Sequence, residues 1–129
     1  MQIHQSAEDY LETILMLTQR MGRVRSIDVV NELGFTKASV SIAMKKLREN
    51  GYIAVDGEGN LTLLEPGLEI AQRIYSRHRL LTHFFVQLGV DEQTAAEDAC
   101  KAEHILSEQT LEKIRESALR NDATHPQAK

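Results

Sequence analysis

The sequence predicts a mainly α protein with one small β hairpin. Three observations lead there. Apolar residues recur at helical spacing through most of the 129-residue chain. Only two short runs, Tyr52-Ile53-Ala54-Val55 and Leu61-Thr62-Leu63-Leu64, have β character, and they flank the Gly-rich polar turn Asp56-Gly57-Glu58-Gly59-Asn60. Gly22, Gly34, Gly51 and Gly89 fall where the apolar series stop.

Taken in order, Ser6-Ala7-Glu8-Asp9 is a capping-box pattern ahead of Leu11, Ile14, Leu15 and Leu17, and the first helix should end near Met21-Gly22. Ser26 should cap a short second helix carrying Ile27, Val30 and Leu33, stopped at Gly34. Thr36 should cap a third helix with Val40, Ala43, Met44 and Leu47 inside and Gly51 as its stop. The hairpin follows. Pro66 suits the first turn of a fourth helix that runs to about Leu88 with Ile70, Ile74, Leu81 and Phe85 on its apolar stripe. A fifth helix is expected over about 91–106 and a sixth over about 108–120, with a frayed polar tail from Asn121. Lobes are expected at about 1–71 and 72–129.

A hydrophobic content of 42% and a charged content of 26% are those of a folded globular protein. No apolar run approaches the roughly 20 residues that span a bilayer. Met1-Gln2-Ile3-His4-Gln5 has neither the basic region nor the apolar core of a secretory signal. The single cysteine, Cys100, cannot close an intrachain disulfide. These features predict a cytoplasmic protein with no membrane partner. The net charge of −4 hides a division: residues 20–48 carry +5, and residues 91–122 carry −5. The basic block suits phosphates; the acidic block suits cations or plain solvation.

Two short helices joined by Leu33-Gly34-Phe35-Thr36 and followed by a hairpin make a winged helix-turn-helix. The second helix of such a unit lies in the major groove with its N-terminal residues at base edges. Those residues here are Thr36, Lys37, Ala38, Ser39 and Ser41, small or hydroxylated groups that permit close approach. Lys45, Lys46 and Arg48 are available for phosphates, and Arg25 joins the DNA-binding candidates. The plainer reading is an amphipathic helix pair with a solvated basic face, or a winged helix that binds protein.

Three segments offer metal ligands. Asp9 and Glu12 share a face of the first helix. His78 lies in the fourth. Cys100, Glu103 and His104 stand one turn apart in the pattern Cys-x-x-Glu-His. Carboxylate, imidazole and thiolate together suit a first-row transition metal. Each also has an ordinary reading: Asp9 as part of the capping box, Glu12 as a surface acid, Cys100 as a small buried residue, His104 as an interfacial histidine.

The order of these motifs resembles the diphtheria toxin repressor family, most of all its shorter, manganese transport regulator branch. The resemblance runs over about residues 5–120. It rests on Glu8-Asp9-Tyr10-Leu11-Glu12, on Thr36-Lys37-Ala38-Ser39-Val40-Ser41 leading into Met44-Lys45-Lys46-Leu47-Arg48-Glu49-Asn50-Gly51-Tyr52, on Leu61-Thr62, on Arg77-His78-Arg79-Leu80-Leu81, and on Cys100-Lys101-Ala102-Glu103-His104-Ile105-Leu106-Ser107. It implies a dimeric repressor that binds operator DNA when loaded with Mn²⁺ or Fe²⁺ and governs metal-uptake genes. Co²⁺, Ni²⁺ and Zn²⁺ are expected to bind in vitro. Longer relatives add an SH3-like domain, for which this chain is expected to be too short. Asp9, Glu12, His78, Glu103 and His104 match the manganese branch's ligands. Cys100 stands where that branch has a glutamate and the iron branch a cysteine, whereas Asp9 stands where the iron branch has a methionine, so the ligand set is a hybrid. Thr82 and Ala96 replace a glutamate and a histidine of the iron branch's ancillary site.

The expectation is therefore a winged helix-turn-helix DNA-binding domain plus a helical metal-binding and dimerisation domain, with the homodimer formed through the fifth and sixth helices. The ion should bind between helices one, four and five and set the spacing of the two recognition helices. No nucleophile elbow, phosphate loop or HExxH motif argues for an enzyme or a small-molecule substrate. The alternatives are a winged-helix regulator that answers to a small organic ligand or a protein partner, and a metallohydrolase using Glu103 as base.

Overall fold

The computed structural model describes residues 5–124. Six helices and one hairpin follow in the order α1 (Gln5–Met21), α2 (Ser26–Leu33), α3 (Lys37–Glu49), β1 (Ile53–Val55), β2 (Leu61–Leu63), α4 (Glu65–Gln87), α5 (Glu92–Ala102) and α6 (Glu108–Thr124). The mainly α class with one hairpin is as expected. The chain divides into two compact units, Met1–Arg73 and Ile74–Lys129.

The first unit is built by α1, α2, α3 and the hairpin around Leu11, Ile14, Leu17, Val29, Val40, Met44 and Leu47, all buried. Ile53 and Leu61, the inward residues of the two strands, extend this core. The strands pair antiparallel with Ile53 opposite Leu63 and Val55 opposite Leu61. Asp56 ties the turn: one carboxylate oxygen accepts from the Glu58 and Asn60 amides, and the other from the Asn60 side chain. A third segment joins the wing, because Arg25 bridges Asn60 and the Leu61 N–H donates to the Val24 carbonyl at 2.7 Å. A Cβ at Gly67 would stand 2.2 Å from the Tyr52 carbonyl oxygen, so only glycine lets α4 start so close to the hairpin. In the second unit Leu81, Ala99 and Leu111 form the buried centre, with Leu80, Phe85, Ala102, Leu106 and Ile114 packed on it.

The helix stops follow local chemistry. Thr36 caps α3 by accepting from the Ser39 amide at 3.1 Å, and Asp91 caps α5 by accepting from the Thr94 amide at 3.1 Å. Gly34 ends α2 in the left-handed conformation at φ 71°.

Four boundaries differ from expectation. Ser6 already lies inside α1, so it is not the cap, which leaves Asp9 to other work. At α2 the cap position is Arg25 rather than Ser26, and the bond runs backwards: the Asp28 carboxylate accepts from the Arg25 amide at 2.8 Å. α5 ends at Ala102, not near 106, because Ser107 caps α6 by accepting from the Thr110 amide, and a cap residue needs non-helical backbone. α6 continues through Thr124, beyond the expected 120; no proline or glycine follows Asn121 until Pro126. The rest of the expected polar tail, 125–129, lies outside the described residues.

Candidate functional site

In the first unit, helical periodicity divides α3 into two faces. Val40, Met44 and Leu47 point into the core, while Lys37, Ala38, Ser39, Ser41, Lys45 and Lys46 are exposed, as is Arg25 beside the wing. Thr36 is exposed too, but its hydroxyl is engaged: it caps α3 and donates to the Ser39 hydroxyl at 2.9 Å. The guanidinium of Arg25 packs against the wing turn at Gly59. The exposed face also carries Ile42, 58% exposed, which the reading of the sequence left out. Its position two residues from Val40 puts it about 200° around the helix from the core, which was the available signal. Phe35, in the turn before α3, is exposed and meets Tyr10 of α1 edge-on at 5.9 Å between ring centroids. Burial and the neighbouring Asp9 carboxylate raise the Tyr10 pKa above its usual value.

α1 presents Asp9 and Glu12 one turn apart, and Glu12 is only 5% exposed. Glu8, beside them, pairs with Arg73 at 3.2 Å. In the second unit Glu103 follows the last turn of α5 and is fully buried. Its Oε1 accepts from His78 Nδ1 at 2.9 Å, and its Oε2 lies 3.5 Å from His104 Nε2. With an ionised Glu103, which can only accept, this contact would use the Nδ1 proton of a neutral His78 and leave Nε2 as the metal-binding nitrogen. The His104 side chain is 1% exposed.

In the first unit Asp9 and Glu12 offer two carboxylates from α1, and in the second Glu103 and His104 offer a carboxylate and an imidazole from the turn after α5. Neighbouring carboxylates repel one another, and burying one is costly unless positive charge compensates. A divalent ion supplies that charge, and the mixture of oxygen and imidazole nitrogen donors suits first-row metals. His78 reaches the Glu103 turn through the Glu103 carboxylate, and Cys100, on α5, is exposed.

Two family models cover nearly the whole chain. The N-terminal DNA-binding domain of the iron-dependent repressor matches residues 2–61. The metal-binding and dimerisation domain of the same family matches residues 64–127. A helix-turn-helix-type transcriptional regulator of Methanocaldococcus jannaschii is 37% identical over 113 residues, covering 86% of this chain and 90% of that protein. The transcriptional regulator MntR of Bacillus subtilis is 34% identical over 109 residues, covering 84% of this chain and 77% of that protein. Among solved structures, a manganese-dependent transcriptional repressor in complex with manganese has a TM-score of 0.79 at 27% identity, over 87% of this chain and 52% of that one. The manganese regulator SloR has a TM-score of 0.74 at 25% identity, over 90% of this chain and 54% of that one. The chain thus spans about half the length of those two structures. A DNA-binding element, a donor set for a divalent ion and matches to both domains converge: the chain belongs to the iron-dependent repressor family of metal-dependent, non-enzymatic transcriptional regulators.

Proposed function

We propose that this chain is a cytoplasmic repressor of metal-homeostasis genes that binds operator DNA as a homodimer and is switched on by Mn²⁺ or Fe²⁺. The observation that carries the metal switch is the buried Glu103 carboxylate set between the His78 and His104 imidazoles. His78 adds an imidazole, and Cys100 completes the proposed ligand set from α5. Asp9, Glu12, His78, Cys100, Glu103 and His104 would hold the ion, which would neutralise their carboxylates when bound. Both metals have support: iron from the family's description, manganese from the names of MntR and the solved manganese regulators.

DNA contact is assigned to Arg25, Thr36, Lys37, Ala38, Ser39, Ser41, Lys45 and Lys46. Ala38 and Ile42 are apolar groups able to meet thymine methyls. Arg25 and the lysines serve phosphates. Exposed Leu88, Ile105 and Leu119 favour the homodimer, since large apolar side chains in one unit are better covered than left in water.

The test is DNA affinity with and without metal. Binding sites are first selected from random duplex DNA in the presence of Mn²⁺. Affinity is then measured in excess chelator, in Mn²⁺ and, without oxygen, in Fe²⁺. Tight binding should need an ion, and Glu103→Gln should abolish the difference. Equal affinities with chelator and with either metal would sink the switch.

A further inference from the structure

Consecutive residues of α4 hold Glu103 at both ends. His78 takes its carboxylate, as described above, while Arg77 takes its main chain: Nη1 donates to the Glu103 carbonyl at 3.2 Å. The other guanidinium nitrogen of Arg77 pairs with Glu108 in the first turn of α6. The Arg77 side chain is only 14% exposed.

The site of this grip matters. α5 stops at Ala102, and the chain turns before α6 begins at Glu108. Glu103 and His104 therefore sit on a turn rather than on a regular helix. Within it the Ile105 and Leu106 amides both donate to the Ala102 carbonyl, at 3.1 and 3.2 Å. The last carbonyls of a helix look beyond the helix for donors, and Glu103 is the C-cap of α5. A basic side chain can satisfy such a group. A guanidinium can also hold two acceptors at once in one plane, which a lysine ammonium does less rigidly.

We propose that Arg77 is a positioning residue of the metal centre. By clamping the turn between α5 and α6, it fixes where the Glu103 and His104 side chains start before any ion arrives. The inference rests on the metal-centre reading above. Groups that orient ligands without touching the ion commonly alter metal affinity about 10–100-fold when removed.

The test uses the full chain, Mn²⁺ alone as probe, and Arg77→Met, Arg77→Lys, Glu108→Gln and Glu103→Gln. Free Mn²⁺ is counted by electron paramagnetic resonance. Amide exchange at Ile105 and Leu106 is followed in metal-free protein. Arg77→Met should weaken Mn²⁺ binding about 10–100-fold and speed exchange at both amides, with Arg77→Lys between it and the parent. Glu108→Gln should do much less, because Glu108 is exposed and the carbonyl bond survives. Unchanged Mn²⁺ affinity in Arg77→Met and Arg77→Lys, with affinity lost in Glu103→Gln, overturns the proposal. Faster exchange with unchanged affinity makes Arg77 a structural clamp only, and overturns it equally. Unchanged affinity in Glu103→Gln overturns the metal-centre reading itself. If Arg77→Met does not fold, Arg77→Lys carries the same comparison.

Discussion

Glu103 is where burial and charge meet most sharply. It is fully buried, yet it carries two imidazoles on its carboxylate and a guanidinium on its carbonyl. One turn earlier stands Cys100, the residue that departs from the manganese branch's pattern. Its exposure argues that it contributes little to the core. Under the proposed function it contributes to metal choice. A thiolate is softer than a carboxylate and loses its proton on binding. Cys100→Glu should therefore shift activation toward Mn²⁺. Cys100→Ala should weaken Fe²⁺ and Co²⁺ activation and leave the metal-free melting temperature nearly unchanged. Loaded with Co²⁺, the parent protein should show thiolate-to-metal charge transfer in the near ultraviolet, and the alanine variant should not. A parent spectrum without that band, together with a normal response of Cys100→Ala to every metal, would remove Cys100 from the ligand set.

Under the proposed function, α3 and the wing of the first unit divide the work on DNA. α3 presents small side chains at its start and lysines further along, so Lys45 and Lys46 should serve phosphates. Replacing either by alanine should lower the magnitude of the log–log salt slope by about 1 per DNA-bound subunit. An unchanged slope for both variants would count against this docking of the helix. The wing has a different chemistry. Its turn is shaped by Asp56, whose pKa is lowered chiefly by the hydrogen bonds from Asn60, with the Glu58 amide and Arg23 adding to the effect. A lowered folded pKa means that this stabilisation is present above the usual carboxylate range. It is lost as pH falls through the lowered folded value. Amide exchange and chemical shifts of Glu58 and Asn60 should therefore change during acid titration before those of α3 do. Identical titration of wing and helix would show that Asp56 does not hold the turn separately.

At the scale of the molecule, charge is divided by task. The basic stretch, residues 20–48, belongs to the unit that carries α3, and the acidic stretch, residues 91–122, to the unit that carries Glu103 and His104. Under the proposed switch, metal and DNA bind the same conformation preferentially, and thermodynamic linkage is then reciprocal. The factor by which Mn²⁺ tightens DNA binding must equal the factor by which DNA tightens Mn²⁺ binding. The two measurements check one another, and a mismatch would mean that one of them reports a different process. Tyr10 offers a physical link inside the first unit: it follows Asp9 on α1 and touches Phe35, the residue before the cap of α3.

By itself the sequence determined the helices, the hairpin and the faces of α3. These depend on interactions over a few residues: Thr36 with Ser39, Asp91 with Thr94, a left-handed Gly34, and the 3.6-residue period that separates Val40 from Ile42. It also marked Asp9, Glu12, His78, Cys100, Glu103 and His104 as candidate donors by type and spacing, with the family resemblance giving them a common purpose. Tertiary structure decided how those donors are supported. The Arg77 and His78 contacts to Glu103 join residues 26 and 25 positions apart, and no local pattern encodes them. The same holds for Gly67, whose need for glycine arises only from the nearness of the Tyr52 carbonyl. Local hydrogen bonds and periodicity are written in neighbouring residues, whereas burial and long-range partnership exist only once the chain has packed.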